Sequence, residues 1–131
     1  MGERYLIDTS AVIKYLNGNF TAAALEYMDQ ILDDQCNISF VSEIELRVWN
    51  PANPSDKEVY DNFAVNSNVI GISQEVIDKT VQIRMSHRLK LPDAIIAATA
   101  IVNNLTLLAD NDKDFLKVPD LSYQNPGKFV D

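Results

Sequence analysis

LPDAIIAATAIVNNLTLLADNDKDF, residues 91–115, reads as a helix opened by an acid, then a short buried strand, then a turn crowded with further acids. Pro92 suits a first helical turn, where its missing N–H is no loss. Asp93 beside it places negative charge at the positive end of the helix dipole. Ala94, Ala97, Ala98 and Ile101 recur at i, i+3, i+4, i+7, a stripe of mostly methyl groups that lets a helix lie close against a sheet. Thr106-Leu107-Leu108-Ala109 is long enough for a buried strand and too short for a helix. Asp110, Asp112 and Asp114 follow, alternating with Asn111 and Lys113. Ligands of open α/β sheets gather at the carboxyl ends of strands, so acids placed there are the first functional signal.

The same alternation runs through the rest of the chain. Arg4-Tyr5-Leu6-Ile7 predicts a buried strand ending at Asp8, and Ala11, Val12, Ile13 and Leu16 a short helix broken by Asn17-Gly18-Asn19. Residues 20–34 are helical by period, with Leu25, Met28 and Leu32 on one face. Residues 37–41 predict a second strand, and Ser42 opens a helix carrying Ile44, Leu46 and Val48, stopped by Asn50-Pro51. After the loop NPANPS, Ser55 or Asp56 caps a helix holding Val59, Tyr60 and Phe63. Val69-Ile70-Gly71-Ile72 is a third strand. Ile77, Val81, Met85 and Leu89 mark the core face of the next helix, and residues 121–123 a last edge strand. Strands alternating with helices imply an α/β fold, a parallel sheet flanked by helices.

A chain of 131 residues with 47% apolar content is expected to form one domain, 1–131, with its own core. Cys36 is alone, so no disulfide framework exists, and it reads as packing in a reducing, cytoplasmic protein. No charged-then-apolar leader and no apolar run of ~18 residues is present, so no membrane role is expected. Nineteen acids against eleven bases give a net charge of −8, which argues against a general nucleic-acid binder. Yet Lys79, Arg84, Arg88 and Lys90 fall within positions 79–91 with no acid among them. Screening confines exposed charges to about 8 Å, so such a local strip can hold a phosphate chain.

Acids sit at or just beyond four strand ends: Asp8, the Glu43/Glu45 pair, Asp93 and Asp110/Asp112. Parallel strands align their carboxyl ends, so these groups converge. Two carboxylates about 4 Å apart repel by roughly 4 kcal/mol at an effective dielectric near 20. A cation relieves that repulsion, and oxygen-only donors favour Mg²⁺ or Mn²⁺ over Zn²⁺. Such ions generate hydroxide and stabilise a leaving oxygen, the requirements of phosphodiester hydrolysis. Each acid also has a plain reading. Asp8 or Ser10 fits a helix cap; Ser42 and Glu45 fit the capping box S-x-x-E; Asp93 complements a dipole; the acids at 110, 112 and 114 suit a solvated turn. Taken singly these suffice, but they do not predict acids at successive strand ends.

LIDTSAVI, SEIELR, LPDAIIAATA and LLADNDKDF, in this order, resemble a PIN domain, and in length and detail the chain is similar to VapC-type toxins of bacterial toxin–antitoxin pairs. The resemblance runs from about Tyr5 to the C-terminus. It implies a three-layer α/β/α sandwich with a central parallel sheet of four or five strands, and a Mg²⁺- or Mn²⁺-dependent endoribonuclease. It places the family's acids on Asp8, Glu45, Asp93 and Asp112, with Glu43 as a neighbour. Asp110 stands where the family has Thr or Ser, so either it adds a fifth carboxylate or it replaces Asp112 as ligand. The implied metal ligands are thus Asp8, Glu45, Asp93, Asp110 and Asp112, with Asp114 bracing the turn and Phe115 packed. The resemblance further implies a cytoplasmic homodimer neutralised by an antitoxin inserted into the cleft.

Ser10, Arg84, Arg88 and Lys90 are the candidate RNA contacts, since phosphate contacts fix register without reading sequence. Lys14 and Arg47 are placed to pair with surplus carboxylates. His87, the one histidine, reads as non-catalytic, and Trp49 beside Pro51 and Pro54 as packing. Two other classes compete. Another Mg²⁺-dependent phosphohydrolase with an Asp nucleophile usually wants D-x-D after the first strand, whereas this chain has Asp8-Thr9-Ser10. A non-catalytic binding module of the same fold does not explain four retained acids.

Overall fold

The computed structural model describes residues 4–129. In chain order the elements are β1 (Tyr5–Ile7), α1 (Thr9–Leu16), α2 (Ala22–Asp34), β2 (Asn37–Ser39), α3 (Phe40–Val48), α4 (Lys57–Asn66), β3 (Asn68–Ile70), α5 (Gln74–Ser86), α6 (Leu91–Val102), β4 (Thr106–Leu108), α7 (Asp112–Phe115) and β5 (Tyr123–Gln124). Every strand pairing is parallel. The strands associate as a three-stranded sheet, β1-β4-β5, and a two-stranded sheet, β2-β3. The Asn37 side-chain amide bridges the two by donating to the Tyr5 carbonyl (2.9 Å). The α/β architecture with parallel strands expected from the sequence is the one observed, with its five strands divided three and two.

Successive residues of a strand point to opposite faces, and here each face has its own core. Leu6 and Leu107 pack with Val76, Ile83, Ala94, Ala97 and Ala98 of α5 and α6. Their neighbours Ile7 and Leu108 pack on the other side with Val12, Met28, Leu46 and Tyr60. α6 lies against its face through fully buried alanines, as its methyl stripe requires. Beyond α6, Asn104 adopts a left-handed conformation (φ 56°), which Asn tolerates, and the chain reverses into β4.

Several local expectations are corrected. β2 ends at Ser39, whose hydroxyl accepts the Ser42 N–H (3.2 Å) and caps α3. Ser42 therefore lies buried inside the helix, and the proposed Ser42/Glu45 capping box does not form. Ile44 and Val48 are exposed, and only Leu46 of that trio is buried. Leu25 is likewise exposed, because α2 buries Ala24 and Met28 instead. Before α4, Asn53 caps a 3-10 turn over Pro54–Asp56, and Asp56 makes no side-chain cap bond. The largest reversal is in α5. Val76, Thr80 and Ile83 face the core, while Ile77, Val81 and Met85 are 40%, 52% and 83% exposed. A four-residue apolar repeat fits a helix face without saying which face meets the core. Leu89 is buried, but beyond the end of α5.

Because α6 has no room beneath it, Ala97→Leu is expected to destabilise the fold by roughly 1–3 kcal/mol through overpacking. Urea unfolding measures it, and an unchanged midpoint would contradict this packing.

Candidate active site

β1 and β4 run side by side with Ile7 opposite Leu108, so their carboxyl ends open at the same level. Asp8 leaves the end of β1 and caps α1. Its Oδ2 accepts the Ser10 N–H (3.1 Å) and the Ser10 hydroxyl (2.5 Å). The same hydroxyl accepts the Asp110 N–H (3.1 Å), tying the start of α1 to the turn after β4. Asp8 is only 5% exposed. Burial pushes its carboxyl up to about 6, reinforced by the charges of Asp93 and Glu45 and opposed by the two Ser10 bonds. The cap reading of Asp8 is thus true as local structure and leaves the second oxygen unused by it.

Glu45 comes from α3. Freed from any capping role, it accepts a hydrogen bond from the Thr9 hydroxyl (2.5 Å), which also lies 2.9 Å from the buried Ser42 hydroxyl. Glu43 turns to Arg47 one helical turn on (3.0 Å). Asp93 stands in the first turn of α6. Burial raises its pKa first, then the charge of Asp114 and that of Glu45, while Lys90 pulls it down. A hydrogen bond between the Asp93 and Asp114 carboxyl groups contributes to the rise.

Asp110 and Asp112 form a separate outer pair. Asn125 Nδ2 donates to both, at 3.0 Å each. Asp110 is also held by Lys14 Nζ (3.1 Å), and Asp112 accepts from the Tyr123 hydroxyl (2.6 Å) and faces Lys128 (3.5 Å). Both carboxyls are held below the usual range, Asp110 by Asn125 and then Lys14, Asp112 by Tyr123 and then Asn125. Burial first, and then the bond its hydroxyl donates to Asp112, push the Tyr123 pKa up.

The structure therefore brings Asp8, Glu45 and Asp93 into mutual electrostatic reach and sets Asp110 and Asp112 apart with partners of their own. Asp114, expected from the sequence only to brace the turn, lies within electrostatic reach of Asp93. Asn111 Nδ2 does hold Asp114 Oδ2 (3.1 Å), and Lys117 lies 3.6 Å from its other oxygen. Asn125, Tyr123 and Lys128 also escaped the sequence reading, because Asn-Pro-Gly reads as a turn and nothing local links it to position 112.

Among the described residues no three His, Cys, Asp or Glu side chains are grouped closely enough to grip one ion as they stand. The donor set nevertheless fits a hard divalent cation: oxygen donors alone, Asp8 buried and Glu45 and Asp93 partly so, with no lysine or arginine salt-bridged to any of the three among the described residues. Arg84, His87, Arg88 and Lys90 line a surface depression, and Lys90 is close enough to influence Asp93.

Parallel strands with carboxylates gathered at their carboxyl ends define a class of α/β domain, and comparison narrows it. The PIN domain family model matches residues 5–121, so the chain belongs to the PIN domain family. Its fold is similar to a chain of a toxin–antitoxin complex from Klebsiella pneumoniae, at 29% identity and a TM-score of 0.68, covering 93% of this chain and 97% of that one. It is also similar to chains of DNA-bound VapBC from Salmonella typhimurium (17% identity, TM-score 0.79, covering 95% and 99%) and of VapBC2 from Rickettsia felis bound to a promoter fragment (21%, 0.76, covering 92% and 97%). No curated protein matches the chain. No helix among the described residues is long and apolar enough to cross a membrane.

The raised carboxyl of Asp8 has a direct consequence for stability. Below pH 3.8 the group is protonated folded and unfolded, and burial carries no ionisation penalty. As pH rises toward 6 the unfolded chain ionises more readily, so stability falls and then levels off. With chelator present, Asp8→Asn is expected to stabilise the fold by about 2–3 kcal/mol at pH 7.5 and by little at pH 3.5. Urea midpoints at both pH values measure it, and equal effects at both would contradict the buried-carboxylate account.

Proposed function

We propose that this chain is a metal-dependent endoribonuclease that hydrolyses RNA phosphodiester bonds, the toxin of a toxin–antitoxin pair. The observation that carries the proposal is that Asp8, Glu45 and Asp93 lie within electrostatic reach of one another, and Asp114 of Asp93, in a PIN-family chain. Asp8, Glu45, Asp93 and Asp114 would hold Mg²⁺ or Mn²⁺, with Asp110 and Asp112 outside them as tethered neighbours. A divalent ion bound there would lower the pKa of an attacking water and stabilise the departing oxygen.

The protein's own part is positioning and electrostatics. Ser10 fixes one oxygen of Asp8, Thr9 fixes one of Glu45, and Asn111 orients Asp114. Prearranged donors avoid reorganisation at the moment of reaction. Lys90, with Arg88 and Arg84 beyond it, offers positive charge to the substrate backbone, which the chain's overall −8 would otherwise repel. Ser10 borders the cleft and can contact a phosphate. The toxin–antitoxin complex from Klebsiella pneumoniae to which the fold is similar supports neutralisation by a separate antitoxin, and a cytoplasmic homodimer is proposed with it on the family resemblance alone.

Purified chain is expected to cut RNA with Mg²⁺ or Mn²⁺ and to stop in chelator. Asp93→Asn and Asp114→Asn should each lower the rate more than 100-fold while leaving the circular dichroism spectrum unchanged. Asp112→Asn, which removes only a tethered neighbour, should cost roughly 10–100-fold. Full activity in Asp93→Asn, or no Mn²⁺ binding by calorimetry, would instead favour a non-catalytic module. A larger loss in Asp112→Asn than in Asp114→Asn would return the fourth position to Asp112.

A further inference from the structure

We infer that Asn125 is a positioning residue for the proposed metal centre: its amide clamps the turn after β4, and so sets the carboxylates reached from both ends of that turn. The inference deepens the function proposed above and rests on it. Asn125 follows β5 and is only 9% exposed. Its Nδ2 donates to Asp110 Oδ1 and to Asp112 Oδ1 at 3.0 Å each, so the two oxygens stay within twice that distance of each other. Tyr123, two residues earlier and on the same side of the strand, reinforces the clamp. Its hydroxyl accepts the Asn111 N–H (3.1 Å) and donates to Asp112 (2.6 Å). The segment is braced from behind by α2, where the Thr21 hydroxyl donates to the Phe129 carbonyl (3.2 Å) and Tyr27 meets the Phe129 ring edge-on (4.8 Å).

The clamped turn leads to the inner acids in both directions. At its start the Asp110 N–H donates to the Ser10 hydroxyl (3.1 Å), which donates to Asp8 (2.5 Å). Toward its end Asn111 Nδ2 donates to Asp114 Oδ2 (3.1 Å), and Asp114 lies within electrostatic reach of Asp93. Asn125 also has a purely local use. Its Oδ1 accepts the Gly127 N–H (2.8 Å) and caps the 3-10 turn Pro126–Lys128. The chain supplies the comparison: Asn53 likewise precedes a proline and caps a 3-10 turn, with its oxygen accepting from Ser55 (3.2 Å). The cap thus needs the amide oxygen alone, and at Asn125 the nitrogen is what meets the carboxylates. Lys14 holds Asp110 and Lys128 faces Asp112, but each serves a single acid, whereas the amide spans both.

Asn125→Ser separates the two uses, since serine keeps a capping oxygen and stays neutral but loses the two-armed donor. In metal-free protein with chelator, hydrogen exchange of the Asp110 and Asn111 amides should quicken by about tenfold or more, while that of Gly127 is unchanged. Calorimetry with Mn²⁺ alone should show roughly 10–100-fold weaker binding in Asn125→Ser. Asn53→Ser, the same change at the other cap, should bind Mn²⁺ as the wild type does. RNA cleavage by Asn125→Ser should recover as Mn²⁺ is raised, with KM for RNA unaltered, which a merely unfolded fraction would not do. Unchanged amide exchange would overturn the clamp. A wild type that binds Mn²⁺ and an Asn125→Ser that binds it equally well would overturn the positioning role alone. A wild type that binds no Mn²⁺ would overturn both this role and the metal-dependent function, even where the exchange result shows the clamp itself.

Discussion

Carboxylates held close together against their own repulsion are the constraint under which the rest of this structure is built. Repulsion among such groups opposes the fold, in a domain whose net stability is only about 5–15 kcal/mol. Hydrogen bonds from neighbouring hydroxyls and an amide oppose that repulsion without cancelling the negative charge. Ser10 serves Asp8, Thr9 serves Glu45 and Asn111 serves Asp114. The two cores on either face of the sheet supply the remainder, since Leu6 and Ile7, and Leu107 and Leu108, anchor the strand ends from opposite sides. The acids of the outer pair need no such help, because Lys14, Lys128 and Asn125 already offset them.

Much of this was legible in the sequence where the pattern is local. The alanine stripe of α6, the apolar run of β4 and the alternation of strands with helices each depend on a few adjacent residues. They appear in the structure as read. Errors arose where a local pattern has two solutions. A serine ahead of a glutamate satisfies a capping box, but Ser39 takes the cap first and draws the helix start back to Phe40. An apolar repeat every four residues satisfies a helix face, yet in α5 the small and branched residues at 76, 80 and 83 fit against α6 better. The division of the late acids into inner and outer groups was illegible, because Tyr123 and Asn125 lie beyond them in sequence and act on Asp112 only through the pairing of β4 with β5.

The distribution of charge explains how so acidic a chain keeps distinct surfaces. Six of its eleven bases pair with an acid: Lys14 with Asp110, Arg47 with Glu43, Lys57 with Asp61, Lys79 with Asp120, Lys117 with Asp114 and Lys128 with Asp112. The cations left around the end of α5 and the start of α6 therefore stand out against a negative background, and their field is local at physiological salt.

Parallel strands have no hairpin to set their alignment, since a crossover joins them and leaves sliding in principle open. The hydroxyl of Ser10 closes that freedom between β1 and β4. It gives its proton to the carboxylate at the head of one strand's exit and receives one from the backbone at the other's. A slip of two residues would preserve the inward and outward alternation of side chains but would strand the Asp110 amide. One oxygen atom thus acts as a registration pin, keeping the two mouths of the sheet level with each other.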